Sequence, residues 1–146
     1  LHTLFPYTTL FRSSRSITMS LQASVYVVDP IPVLTTTPHT LNNVWQPIST
    51  TLIYGQREAI LVDTAWSVAQ SEDLAVWLNK TLEGRNLTTI YVTHGHGDHF
   101  FGGQTLKKHF PHVKMVATAD TVKHIEQHVV LPILLPFGRV SYRQTN

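Results

Sequence analysis

The segment Thr93-His94-Gly95-His96-Gly97-Asp98-His99-Phe100-Phe101-Gly102-Gly103 carries three imidazoles and a carboxylate within six consecutive positions. Imidazole nitrogen and carboxylate oxygen are ligands for divalent transition metals. At this density, with glycines interleaved, they point to a metal centre and away from a histidine-rich surface loop. Histidines at i and i+2 of an extended segment project to the same side, so His94 and His96 can reach one ion together. Gly95 and Gly97 leave room beside that ion and let the backbone turn sharply, after which Asp98 and His99 can serve a second ion. The chain has no cysteine, so thiolate ligation and disulfides are excluded. Nitrogen and oxygen donors suit zinc, and iron or manganese as well.

The flanking pattern supplies elements that could hold such a cluster. SVYVV (24 to 28) and VLTT (33 to 36) are β-branched runs separated by Asp29-Pro30 and Pro32, and they read as strands. ISTTLIY (48 to 54) and AILVD (59 to 63) flank Gly55-Gln56-Arg57-Glu58 and read as a hairpin. Ser71 with Glu72 and Asp73 reads as a helix start. Leu74, Trp77, Leu78, Thr81 and Leu82 follow at helical spacing, and Gly84 stops the helix. TTIYVT (88 to 93) is a strand that runs into the histidine segment, KMVAT is another, and ADTVKHIEQH (119 to 128) reads as a helix. Strands followed by β-helix-β-helix make the class α/β.

Composition narrows the function classes. The chain has 146 residues, 42% of them hydrophobic and 14% charged, enough for one core. Its net charge of +2 comes from scattered lysines and arginines, with no run longer than Lys107-Lys108. No nucleic-acid partner is therefore expected, and that lysine pair reads as a solvated helix face. The apolar stretch near the C-terminus is short and broken by Pro132 and Pro136, so no membrane span is expected. The other histidines carry no assigned role. His109 and His112 flank Pro111 in a helix-to-strand loop and read as exposed. His124 and His128 are i and i+4 on a helix, but the glutamate lies at position 126, so the zinc-protease pattern fails and the spacing reads as chance. Trp45, Trp66 and Trp77 read as core or rim packing, with Trp66 placed to lie near the mouth of a site. Asn79-Lys80-Thr81 and Asn86-Leu87-Thr88 match the glycosylation pattern, and read as chance matches because no secretory signal precedes them.

The histidine segment resembles the His-x-His-x-Asp-His signature of the metallo-β-lactamase superfamily. The strand TIYVT before it and Gly102-Gly103 after it fit the same context, as does the hairpin ending in Leu61-Val62-Asp63-Thr64. The resemblance covers roughly residues 24 to 128. It implies an αββα sandwich with the metal site at one edge between two sheets, of which this chain would be the N-terminal half. It also implies His94 and His96 as ligands of a first ion, Asp98 and His99 as ligands of a second, and Asp63 as an acid supporting the ligands from behind. One or two zinc ions would then generate a metal-bound hydroxide that attacks an ester, thioester, amide, lactam or phosphodiester of a small-molecule substrate, with Asp98 able to orient the water. A nuclease is the least favoured of these, for want of basic clusters.

The family also calls for a third first-site histidine, a bridging aspartate and a final histidine from a later half. The chain continues for 47 residues after His99, and no segment there resembles those motifs. The fragment is therefore expected to be inactive, to bind metal weakly and to leave one sheet face uncovered and apolar. Two other outcomes stay open: an iron-dependent oxidoreductase on the same fold, and a noncatalytic metal-binding remnant.

The termini suggest a further division. Thr3 to Ser13, TLFPYTTLFRS, resembles a translated sequencing adapter, so 1–18 reads as a non-native leader, with a mitochondrial transit peptide as the alternative. Residues 19–128 would be the partial domain, and 129–146 a tail read as read-through, with a genuine buried strand or helix as the alternative. The expected compartment is the cytoplasm, or the mitochondrion if the leader is genuine. Oligomeric state has no signal in the sequence.

Overall fold

The computed structural model describes residues 20–32, 44–129 and 143–145. The expected strand at 33 to 36 and the leader at 1 to 18 lie outside them. Along the chain run β1 (Gln22–Val27), β2 (Ile31–Pro32), β3 (Val44–Trp45), β4 (Ser49–Tyr54), β5 (Glu58–Val62), α1 (Val68–Leu82), β6 (Asn86–Tyr91), α2 (Gly97–Phe100), α3 (Gly103–His109), β7 (Lys114–Thr118), α4 (Ala119–Val129) and β8 (Arg143–Thr145). Six strands form one sheet in the order β1-β4-β5-β6-β7-β8, and β2 pairs with β3 apart from it. The β1-β4-β5 portion is antiparallel, while β5, β6, β7 and β8 run parallel. The class is α/β, and the described residues form one helical layer on one sheet. β8 falls in the segment read from sequence as a tail, most of which lies outside the described residues.

The hairpin forms where the β-branched runs flank Gly55, whose N–H donates to the Glu58 carbonyl at 3.0 Å. α1 begins earlier than the sequence suggests. Its cap is Ser67, whose Oγ accepts from the Gln70 N–H at 3.1 Å, while the Gln70 side chain accepts from the Ser67 N–H at 3.1 Å. This reciprocal pair satisfies two of the N–H groups that a helix start leaves free. Ser71, expected as the cap, is instead fully buried, and its hydroxyl donates to the Ser67 carbonyl at 2.7 Å. The helix ends as expected: Glu83 and Gly84 take left-handed conformations with φ of 47° and 84°.

Strand periodicity decides which face is inside. Leu52, Leu61, Ile90 and Met115 are buried from one side of the sheet, against Leu74, Leu78 and Leu82 of α1, Leu106 of α3 and Ile125 of α4. Burying each of these large side chains contributes about 1.5–3 kcal/mol before entropy is subtracted. The alternate positions face the other way. There Val25, Val27, Ile53 and Ile60 remain exposed, Val27 by 61%, and adjacent strands align Ile53 with Ile60. Among the described residues this face carries exposed apolar side chains beside polar ones such as Ser49, Thr51 and Glu58. No described helix is long and apolar enough to cross a membrane.

Candidate metal centre

The histidine segment begins where β6 ends. Val92 continues the strand by donating to the Val116 carbonyl at 2.9 Å, and Thr93 starts the turn. Two loops at the carboxyl ends of β5 and β6 are knitted together by main-chain bonds. Asp63 N–H donates to the Tyr91 carbonyl at 2.8 Å, Thr64 N–H to the His99 carbonyl at 3.0 Å, and Gly102 N–H to the Ala65 carbonyl at 2.9 Å. The carboxyl edge of parallel strands is where open α/β sheets bind ligands, because loops from neighbouring strands converge there.

Asp63 holds this junction. It is only 6% exposed and takes a left-handed φ of 62°, a conformation that aspartate tolerates better than most residues. Its Oδ1 accepts from the Thr93 N–H at 2.8 Å, and the Thr93 hydroxyl donates to Oδ2 at 2.8 Å. A hydroxyl has one proton to give, and an ionised carboxylate can only accept it. The Thr93 oxygen, 3.0 Å from His94 Nδ1, therefore accepts from an Nδ1–H of His94. That tautomer leaves the lone pair of His94 on Nε2, a nitrogen through which imidazole can bind a metal. His99 Nδ1 lies 2.9 Å from Asp63 Oδ2. The approach is short but outside hydrogen-bond alignment, so this buried nitrogen has no aligned partner among the described residues.

The ring positions follow. His94 and His99 have centroids 3.9 Å apart, and His94 and His96 lie edge-to-face at 4.8 Å. Asp98 Oδ2 is 3.6 Å from His99 Nε2. Burial and the neighbouring His99 and His96 rings push the His94 imidazole below the ordinary histidine range, outweighing the Asp63 and Asp98 carboxylates. A depressed value favours the neutral, ligating form. The structure thus gathers His94, His96, Asp98 and His99 in one place with Asp63 behind them. It does not close them around a point: among the described residues, no group of three or more His, Asp or Glu side chains is already arranged to hold an ion. The imidazole and carboxylate donors are of the kinds that bind divalent metals, but among the described residues they are not arranged around an ion position.

Sequence reasoning missed one neighbour. His124, dismissed from its spacing on α4, lies with its ring 5.6 Å from that of His96. No local pattern marks it, because the approach depends on how α4 packs. His109 is exposed as expected, and its Nε2 lies 2.6 Å from Glu72 Oε2, itself substantially exposed. The side chain of His128 lies outside the description. Trp66 stacks on Trp45 at 4.3 Å and meets Phe101 edge-on at 5.2 Å, forming an aromatic wall beside the loop of Asp63. A cavity of about 500 Å³, lined in part by Arg85, Thr88, His109 and His112, opens at the amino ends of β6 and β7, and none of His94, His96, Asp98 or His99 lines it.

The metallo-beta-lactamase superfamily profile matches residues 43–141, more than half of the chain. Among solved structures, the metallo-beta-lactamase FIM-1 from Pseudomonas aeruginosa in its mono-zinc form aligns with a TM-score of 0.55 at 18% identity, covering 86% of this chain and 46% of that one. A metallo beta lactamase from Hirschia baltica aligns with a TM-score of 0.48 at 24% identity, covering 77% of this chain and 45% of its own. The chain thus spans about half the length of these structures, and its likeness to FIM-1 is one of fold. No curated protein sequence matches it. Since the profile runs through the hairpin, α1, the histidine segment and β7, the chain belongs to the metallo-beta-lactamase superfamily.

Proposed function

We propose that this chain is the ligand-bearing half of a metal-dependent hydrolase, with zinc as its ion and a small-molecule ester, thioester, amide or lactam as its substrate. The observation that carries the reading is the gathering of the His94, His96 and His99 rings, at centroid separations of 3.9 and 4.8 Å, over a buried Asp63. His94 and His96 would hold a first ion, and Asp98 and His99 a second. A bound zinc acidifies a coordinated water and polarises the carbonyl under attack. The residues themselves do the rest. Thr93 presents His94 Nε2, and Asp63 fixes Thr93. Asp98 is the carboxylate placed to orient the attacking water and hold its proton. The Trp45-Trp66-Phe101 wall offers an apolar surface for the substrate's non-reacting part.

The test is metal content by inductively coupled plasma mass spectrometry on the full chain, beside a His94→Ala/His96→Ala double variant. Zinc approaching one equivalent in the wild type and lost in the variant is expected. Absence of metal from both after zinc loading would overturn the reading.

A further inference from the structure

We propose that the cavity at the amino ends of β6 and β7 binds a small organic anion, a carboxylate or phosphate group carried on an apolar body. The site shares no residue with the histidine segment and does not depend on a metal being held there.

The lining carries the assignment. Arg85, His109, His112 and Lys114 all border this cavity of about 500 Å³, and no aspartate or glutamate does. The whole chain sets 11 lysines and arginines against 9 acids, so the one-sided lining is a local product of the fold. Arg85 directly precedes β6, and the other three lie between the end of α3 and the start of β7. Parallel pairing of β6 with β7, which sets Thr89 level with Lys114, brings the two segments together.

Arg85 is held in place without a ligand. Its Nε donates to the Gly55 carbonyl at 2.9 Å, its Nη1 donates to the Leu82 carbonyl at 3.0 Å, and the guanidinium lies 4.9 Å over the Tyr54 ring. Nη2 has no hydrogen bond among the described residues, so one nitrogen of a fixed guanidinium is left for an acceptor. A donor fixed in advance loses little freedom on binding. The carboxylates that approach these basic groups are Glu83, 3.2 Å from Arg85 Nη1, and Glu72, 2.6 Å from His109 Nε2. They are 72% and 45% exposed, and exposed pairs are weak enough for an entering anion to compete with them. An imidazole donates an N–H in either protonation state and an ammonium donates three, so His112 and Lys114 both match an oxyanion with several lone pairs. Leu87 and Phe110 supply apolar wall, which favours an anion on a ring or hydrocarbon body over a bare inorganic ion.

The experiment is a titration of the 15N-labelled full chain, read by backbone amide shifts in NMR. The probes are phenyl phosphate and benzoate, with benzyl alcohol as the neutral control and inorganic phosphate as the bare ion. Both organic anions are expected to move the amides of residues 85–88 and 109–114. They should bind at least about tenfold more tightly than benzyl alcohol, because charge-assisted hydrogen bonds are the stronger kind. The tighter of the two identifies the head group. Adding about 0.5 M NaCl should weaken both. A His112→Ala/Lys114→Ala variant, changed only at exposed side chains, should lose affinity for phenyl phosphate by at least about fivefold while its other amides keep their positions. Arg85→Lys keeps the charge and removes the fixed fork, and should weaken phenyl phosphate as well. Shifts centred elsewhere, no saturation by either organic anion at about 10 mM, or benzyl alcohol binding as tightly as the anions would overturn the proposal. Unchanged affinity in the double variant would overturn it too. Inorganic phosphate matching phenyl phosphate would overturn the apolar body.

Discussion

Two histidine–carboxylate pairs in this molecule look alike by distance and differ in everything else. His99 Nδ1 lies 2.9 Å from Asp63 and His109 Nε2 lies 2.6 Å from Glu72. The first pair has side chains 19% and 9% exposed, the second 36% and 45%. Asp63 also gathers the Thr93 amide and hydroxyl, and so connects β5 to the loop carrying His94. Glu72 and His109 link α1 to α3 in solvent. Separation alone does not distinguish the two pairs; burial and the further bonds of the carboxylate do, because a low-dielectric setting makes each lost partner costly.

Breaking each pair should expose the contrast. Asp63→Ala is expected to have the largest effect, a loss of about 3 kcal/mol in urea unfolding. It leaves buried donors unsatisfied and places an alanine in a left-handed conformation. Asp63→Asn, which tolerates that conformation, should fall between alanine and wild type. A loss below about 1 kcal/mol for Asp63→Ala would remove the distinction drawn here.

Next in size is Gly102→Ala, which tests how tightly the two loops are clamped. An added Cβ would lie 2.8 Å from the Ala65 carbonyl oxygen and 2.9 Å from its nitrogen. The obstruction is backbone that cannot rotate aside, so a cost of about 1–3 kcal/mol in thermal or urea unfolding is expected. His109→Ala should cost under about 1 kcal/mol, and a double-mutant cycle with Glu72→Ala should give a coupling that shrinks at high salt, as exposed pairs do.

The smallest expected effect concerns pH. His94 is held below its ordinary 6.5, so below pH 6.5 the unfolded chain binds more protons there than the folded one. Its contribution to stability is therefore present above pH 6.5 and is lost as pH falls toward the folded midpoint. An NMR titration of the metal-free chain should give His94 a midpoint under 6.5, and one at or above 6.5 would contradict the burial and neighbouring rings that depress it.

Much of this architecture was legible because it is local. The Gly55 hairpin, the strand into the histidine segment, the α1 stripe of Leu74, Leu78 and Leu82 and its stop at Gly84 all follow from periodicity and turn chemistry. The start of α1 was misplaced because two serines competed. Ser67 has Gln70 at the capping-box spacing, whereas Ser71 turns inward as a buried side chain. Glu72 and Asp73 suggested a first turn to which they do not belong.

The residue types and their local order are properties of the sequence: His-x-His-x-Asp-His after a strand fixes which imidazoles and which carboxylate are available there. What the tertiary structure decided is how those donors are held. Asp63 reaches Thr93 across thirty residues because β5 and β6 are parallel neighbours, as the register of Val62 with Tyr91 records. His124 meets Gly95 because α4 packs back onto the loop beside β7. Neither contact leaves a trace in local spacing, since each is set by core packing that aligns segments distant in sequence.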